Sequence, residues 1–315
     1  MKIKYLKIIV CPKCKTKPIL LSGPYRKKEI LFGKLQCQKC KNIYQITNGL
    51  SVMLKKDAVV SRTQKAFEKE WSLYYKGHFG IKDLYGKSEK EELTDFERLL
   101  QINKKNVRRK RILDAGCGSG RLTGNVARKF KDAEVFGVDI GRSIVLAHEK
   151  YKLSNLELIQ ADINFLPFPE YFFDYVWSEG VIHHTKNPEK SFKELSRVLK
   201  KGGRIYIWVY PKYVLTPYLV YRKLFPKSYL LTTKRLYLLY YLLSIPTYII
   251  YRLANILNLF TNSYKLKSLT FKIFDTLAPE HQYYFSKKEI LNWFRRQNYK
   301  DIEIVGDIGI TAVKS

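Results

Sequence analysis

Arg111 to Leu122 reads RILDAGCGSGRL, and the fold is decided here. The stretch begins apolar, turns through glycines at 116, 118 and 120, and leads into a helix-forming run. Glycine lets the backbone turn tightly and approach a ligand without Cβ clashes, so strand, loop and helix in this order make a nucleotide-binding turn. Asp139 follows Gly120 by 19 residues, at the end of the next apolar run. A carboxylate there can accept hydrogen bonds from both hydroxyls of a ribose. A glycine loop with a purely structural role is the alternative.

The spacing does not suit a pyrophosphate. Counted from Gly116, the dinucleotide pattern G-x-G-x-x-G needs glycine at 121, where Arg121 stands. Asp114, just before the first glycine, puts negative charge beside the loop. That charge repels phosphate and attracts a cofactor carrying an ammonium and a sulfonium. S-adenosylmethionine carries both.

Outward from the loop, apolar runs alternate with amphipathic stretches. Arg111 to Leu113, Val135 to Val138, Leu156 to Ile159, Tyr175 to Trp177 and Arg204 to Tyr210 read as buried strands. Ser191 to Leu199 reads as a helix, with Gly202 and Gly203 after Lys201 as its left-handed cap. A closing helix (Lys287 to Arg296) precedes two short strands, Ile302 to Val305 and Gly309 to Val313, hairpinned at Gly306-Asp307. Strands alternating with helices predict an α/β fold, a doubly wound, Rossmann-like sheet covered on both faces.

Residues 105 to 210 resemble class I S-adenosylmethionine-dependent methyltransferases of the type 11 group. The matching pieces are LDAGCGSG (Leu113 to Gly120), VFGVDI (Val135 to Ile140), IQADINFLPF (Ile159 to Phe168), FDYVWSEGVIHH (Phe173 to His184) and FKELSRVLKKGGRIYIWVYP (Phe192 to Pro211). The resemblance implies that Asp114, Gly116, Gly118 and Gly120 hold the methionine end of the cofactor and Asp139 its ribose. It further implies that Asp162 accepts from the adenine amino group, with Ile140 and Ile163 flanking the ring. A general base is needed only where the acceptor must lose a proton. His183, His184 and Glu179 lie after the fourth strand, on the carboxyl edge where such a base would stand. Capping the following turn or packing beside the cofactor are the plainer roles for them. Cys117 fits the loop by its small size.

Cys11-Pro-Lys-Cys14 and Cys37-Gln-Lys-Cys40 are two C-x-x-C pairs, enough for a closed tetrahedral zinc site of structural type. Lys13, Lys15, Lys39 and Lys41 would offset the thiolate charge. Ile8 to Leu20 and Leu35 to Leu54 resemble the zinc-ribbon family of small tRNA-methyltransferase activators, and equally their bacterial relatives; Tyr44 and Gly49 fit that pattern. The resemblance implies a module that supports a methyltransferase, here fused to its own.

At 315 residues the chain suggests about two domains. We expect a zinc-ribbon domain over 1–58, a helical linker or cofactor lid over 59–104, and the methyltransferase domain over 105–315, interrupted by a mostly helical insertion at 211–285. In the linker, Phe67, Trp71 and Tyr74 recur at helical spacing, which suits packing or a lid. In the insertion, Leu236 to Tyr251 carries no charge and is bracketed by Lys234, Arg235 and Arg252. It is short for a membrane span, and Pro246 would kink it. A cap over the acceptor pocket, to which His281 could contribute, and an anionic membrane surface are the two readings. The formal charge of +30 asks for a negative partner, or else reflects a lysine-rich proteome. With 46% hydrophobic residues the chain is not disordered overall, and five cysteines exclude a secreted disulfide scaffold. The lysine-interrupted start MKIKYLKIIV does not read as a signal peptide. We therefore expect a cytoplasmic location with peripheral membrane association, and a small-molecule or lipid-linked acceptor of a cell-surface or glycan pathway. Asp275 to Phe294 resembles a subgroup associated with such acceptors. RNA is the second choice of acceptor, and a non-catalytic cofactor-binding scaffold the third reading.

Overall fold

The computed structural model describes residues 1–23, 25–26, 28–54, 62–75, 87–212, 217–231, 233–257 and 266–315. The chain forms two compact units: Met1–Val59, Glu92–Lys212 and Tyr283–Ser315 make the first, Val60–Glu91 and Tyr213–Gln282 the second.

The first unit starts with a short helix, α1 (Ile3–Leu6), and the strands β1 (Pro18–Ser22), β2 (Tyr25–Arg26), β3 (Glu29–Ile30), β4 (Gly33–Cys37), β5 (Ile43–Thr47) and β6 (Leu50–Val52). The central strands follow: β7 (Arg111–Ala115), β8 (Glu134–Asp139), β9 (Leu156–Gln160), β10 (Phe173–Glu179), β11 (Leu199–Trp208), β12 (Tyr299–Val305) and β13 (Gly309–Lys314). Parallel pairing joins β9 to β8, β8 to β7, β7 to β10 and β10 to β11, while β13 lies antiparallel between β11 and β12. Nearly every residue of β7 to β10 is buried, as a parallel sheet covered on both faces demands. All five expected strands and the terminal hairpin are present. The connections reverse direction between β7 and β10, so the carboxyl ends of those two strands flank the crevice where ligands bind in such sheets.

One expected detail differs. The helix Pro188–Val198 ends where β11 begins, at Leu199. Phe173 pairs with Leu199 but Tyr175 with Arg204, so Gly202 and Gly203 form a bulge in β11 rather than a helix cap. Gly202 has φ 73°, and a Cβ on Gly203 would stand 2.9 Å from the Asp174 carbonyl oxygen. Pairing with β10 decides between two uses of the same dipeptide.

The N-terminal segment, expected as a module of its own, continues this sheet. β6 pairs parallel with β9, Ser51 opposite Ile159 and Val52 opposite Gln160, and β5, β4 and β1 extend outward antiparallel. Tyr5 packs edge-on against Phe136 of β8, with ring centroids 4.9 Å apart. Phe136 also meets Phe168, Phe172 and Phe173. Buried Glu157 of β9 is paired with Lys2 at 3.3 Å. Lys15 pairs with Glu194 at 2.5 Å and donates to the Leu166 carbonyl, so its charge serves this junction as well as Cys11.

Between the strands lie the helices: α2 (Arg62–Tyr75), α3 (Glu89–Leu100), α4 (Arg121–Lys129), α5 (Ser143–Lys150), α6 (Pro188–Val198), α7 (Pro217–Leu224), α8 (Thr233–Ile256), α9 (Leu266–Leu277) and α10 (Lys287–Arg296). The expected 59–104 linker is divided between the units. Most of α3 belongs to the first, where Phe96 packs on Trp177 of β10 at 5.1 Å.

In the second unit, Leu236 and Tyr240 of α8 pack on Ile273, Phe274 and Leu277 of α9. The Tyr221 and Thr247 hydroxyls share a hydrogen bond of 2.8 Å, and the Thr63 hydroxyl accepts from the Glu280 and His281 amides. Phe67 and Trp71 of α2 are half-buried; the side chain of Tyr74 lies outside the described residues. Helix α8 runs unbroken through Pro246. Among the described residues, no helix is long and apolar enough to cross a membrane.

Phe136 is fully buried among four aromatic rings, so Phe136→Ala should cost about 3–5 kcal/mol. Chemical denaturation of the two proteins measures the difference.

Candidate active site

The loop after β7 is built on close approach. Gly116 has φ 88°, and a methyl group there would lie 2.2 Å from Cγ2 of Val181, which follows β10. The turns leaving the two strands at the switch point are thus pressed together, with no room for a side chain. Gly120, at φ 70°, starts α4 against Ala147 of α5, where a Cβ would come within 2.7 Å.

Asp139 fastens the loop to the end of β8. One carboxylate oxygen accepts the Gly118 amide at 2.9 Å and the other the Gly141 amide at 2.7 Å. Each oxygen keeps a second lone pair, so acceptance of ribose hydroxyls remains compatible with this role. Gly118 itself has φ 52°.

Asp114 lies under the loop, buried, and accepts from the Thr123 hydroxyl of α4 at 2.5 Å. Burial pushes its pKa up to about 7 against the pull of that hydrogen bond, and the charges of Glu92, Asp139 and Glu179 add to the rise. Four carboxyl groups from separate elements therefore converge on the carboxyl end of β7. Arg121, buried at the start of α4, pairs with Glu92 at 2.9 Å. This pair and Thr123 were not found by reading the sequence; Glu92 is 29 residues from Arg121, and no spacing rule connects them.

Asp162 opens a single helical turn, Ile163–Phe165, and its carboxylate accepts from the backbone and side-chain nitrogens of Asn164. Ile163 is buried and Ile140 half-buried, and the Ile140 carbonyl accepts from Gln160 at 3.0 Å. Cys117 faces Gly137, consistent with a packing role.

The three candidate proton carriers differ. His183 is fully buried, stacked on Tyr210 at 3.9 Å and tilted on His184 at 4.2 Å. Neither ring nitrogen has a hydrogen-bond partner. Burial, then His184, hold its pKa well below the ordinary histidine value, so the ring is neutral. His184 is nearly as buried. Glu179 is half-buried at the end of β10, and a Cβ on the adjacent Gly180 would meet open space.

Residues 113–207 match the methyltransferase domain family. A ubiquinone/menaquinone biosynthesis C-methyltransferase of Yersinia pestis is 34% identical over 118 residues, which cover 35% of this chain and 47% of that protein. Its counterpart in Yersinia enterocolitica is 32% identical over 123 residues, covering 37% and 49%. The chain thus spans about half the length of the curated relatives it matches. Two solved structures are similar. An S-adenosylmethionine-dependent methyltransferase of Thermotoga maritima has a TM-score of 0.49 at 15% identity, over 80% of this chain and 100% of that one. The magnesium protoporphyrin IX methyltransferase of Synechocystis PCC 6803, with bound SAH, has a TM-score of 0.49 at 16% identity, over 80% and 98%. The likeness to methyltransferases thus lies in residues 113–207 and in about a third of the chain for the curated relatives, and S-adenosylmethionine is the cofactor it brings into consideration. The loop geometry and the excess of carboxylates fit that cofactor.

The four cysteines gather elsewhere in the first unit. Their sulfurs all lie within 4.8 Å of one another, with Cys14 to Cys37 at 3.3 Å and Cys11 to Cys40 at 3.5 Å. Sulfurs around a tetrahedral metal with bonds of about 2.3 Å stand about 3.8 Å apart. The two knuckles share one geometry: Lys15 and Lys41 have φ 58° and 59°, and their amides return to the Cys11 and Cys37 carbonyls. Tyr44 lies 3.1 Å from the Cys11 sulfur and Thr16 3.3 Å from that of Cys14. This cluster can hold a metal ion.

The raised pKa of Asp114 has a consequence for stability. Its protonated form contributes fully below the ordinary carboxylate pKa, and that contribution is lost as pH rises through about 7. Asp114→Asn, neutral at every pH, should therefore gain on the parent protein between about pH 4 and pH 8, by on the order of 4 kcal/mol at most. Denaturant melts of both proteins across that range give the difference directly.

Proposed function

We propose that the protein transfers the methyl group of S-adenosylmethionine to a small-molecule or lipid-linked acceptor. The observation that carries the reading is the gathering of Asp114, Asp139, Glu92 and Glu179 about the loop after β7, where burial first and the neighbouring carboxylates second push Asp114 toward neutrality. A cation relieves that repulsion and a pyrophosphate worsens it. Bound there, the cofactor supplies a methyl group already activated by its sulfonium. The chain's own work is then positioning and charge. Asp139 orients the ribose while keeping the loop closed through Gly118 and Gly141. Asp114, drawn into its ionised form by a neighbouring cation, balances the ammonium. Ile140 and Ile163 would enclose the adenine and Asp162 accept its amino group.

Where the acceptor must lose a proton, we assign the step to Glu179 ahead of the histidines. Glu179 is half-buried at the end of β10, while His183 is fully buried and shut between Tyr210 and His184. Its enclosed ring makes it a wall of the site. For the acceptor, the names of the curated relatives, which are ubiquinone/menaquinone biosynthesis C-methyltransferases, support a small or lipid-linked molecule. We further assign zinc to Cys11, Cys14, Cys37 and Cys40, as a closed structural site that pins the two knuckles at the outer part of the sheet.

Asp139→Ala removes the ribose acceptor and the loop fastening together, so calorimetry should register at least about a tenfold loss of affinity for S-adenosylmethionine. Unchanged affinity would overturn the assignment. Labelled methyl groups offered with fractionated cell extract should enter the lipid or small-molecule fraction; label confined to RNA would replace the acceptor reading. Metal analysis should return one zinc per chain, and Cys37→Ser should lose it. Stoichiometric zinc in that variant contradicts the four-cysteine site.

A further inference from the structure

Helix α8 carries apolar residues on its outward face as well as on the face packed against α9. The residues it buries include Tyr240, Ser244 and Thr247, with Ser244 and Thr247 fully enclosed. Leu238, Leu242, Ile245, Ile249, Leu253 and Ile256 are instead 39–73% exposed. Their spacing of three or four residues sets them in one stripe along the helix, opposite the face packed on α9. Singly exposed leucines are ordinary, but a continuous apolar stripe marks an interaction surface.

The charge around the stripe selects its partner. Arg235 and Arg252 are exposed near its two ends. Within the second unit, from Tyr213 to Phe274, the sequence has no aspartate or glutamate and nine lysines and arginines. An apolar stripe flanked by arginines, in a basic stretch without acids, is complementary to an anionic bilayer, whose headgroups draw the arginines while the leucines and isoleucines enter the acyl boundary. A nucleic acid would use the charge and leave the stripe in water. Since α8 is not apolar enough to cross the membrane, its place is in the plane of the interface.

We propose that the outward face of α8 is a docking surface for an anionic lipid bilayer, with Leu242, Ile249 and Leu253 inserted and Arg235 and Arg252 at the headgroups. The inference goes beyond the methyl-transfer reading and does not need it, because binding to vesicles requires no methyl donor.

Co-sedimentation of the full chain with phosphatidylcholine vesicles containing about a third phosphatidylglycerol tests it. The protein should pellet with these vesicles and far less with phosphatidylcholine alone. Leu242→Glu combined with Ile249→Glu should weaken binding at least about tenfold while leaving the thermal melt and S-adenosylmethionine affinity unchanged. Arg235→Gln with Arg252→Gln, which spares the apolar face, should weaken binding to the anionic vesicles severalfold and serves as the second variant. No pelleting with anionic vesicles overturns the proposal, as does binding that both variants retain. Ultracentrifugation showing that the free protein self-associates through α8, with Leu242→Glu yielding monomer and no vesicle binding, would give the face to a second copy instead.

Discussion

Asp139 is the constraint on which the site depends. Its carboxylate accepts one backbone amide from the glycine loop and one from the turn after β8, so a single side chain joins the exits of two neighbouring strands. The loop can close only because Gly116 leaves room for Val181 from the far side of the switch point. The fold thereby gathers acidic groups where peptide and glycine permit little else. Glu92 is paired with Arg121, yet Asp114 remains pushed toward neutrality by burial and its acidic neighbours. Such a site holds unfavourable electrostatics that a cationic ligand would relieve.

The N-terminal segment takes part in the same structure through backbone pairing. Two residues of β6 against β9 carry the register, and Tyr5 against Phe136 supplies the packing. Lys2 with Glu157 and Lys15 with Glu194 place the basic residues of this segment against acids of the central domain. The four-cysteine cluster therefore lies on an extension of the sheet that carries the glycine loop. In the second unit the logic is reversed. Its core is the contact between α8 and α9, and α8, in a stretch without acidic residues from Tyr213 to Phe274, leaves an apolar stripe facing outward.

Much of the central domain was legible in the sequence because a strand buried on both faces leaves a continuous apolar run. Arg111 to Leu113 and Val135 to Val138 needed no tertiary information to be read. The glycine spacing and Asp139 were equally plain, since both obey local geometry. Other features depend on distant partners. Leu50–Val52 is too short to show a period, so its pairing with β9 could not be read. Gly202 and Gly203 suit a helix cap and a strand bulge alike, and only pairing with β10 settles their use. Composition announced that Leu236 to Tyr251 was unusual, but which of its faces would be buried was decided by α9. Likewise, the enclosure of His183 by Tyr210 joins residues whose chemistry, read in line, suggested a base.

The central claim is that acidic groups at the switch point select a cationic methyl donor over a phosphate-bearing coenzyme. Calorimetric titration of the purified protein with S-adenosylmethionine, and separately with nicotinamide adenine dinucleotide, compares the two directly. Saturable binding of the first and none of the second is expected at matched concentrations. Saturable binding of the dinucleotide, with no heat from the methyl donor, would contradict that claim.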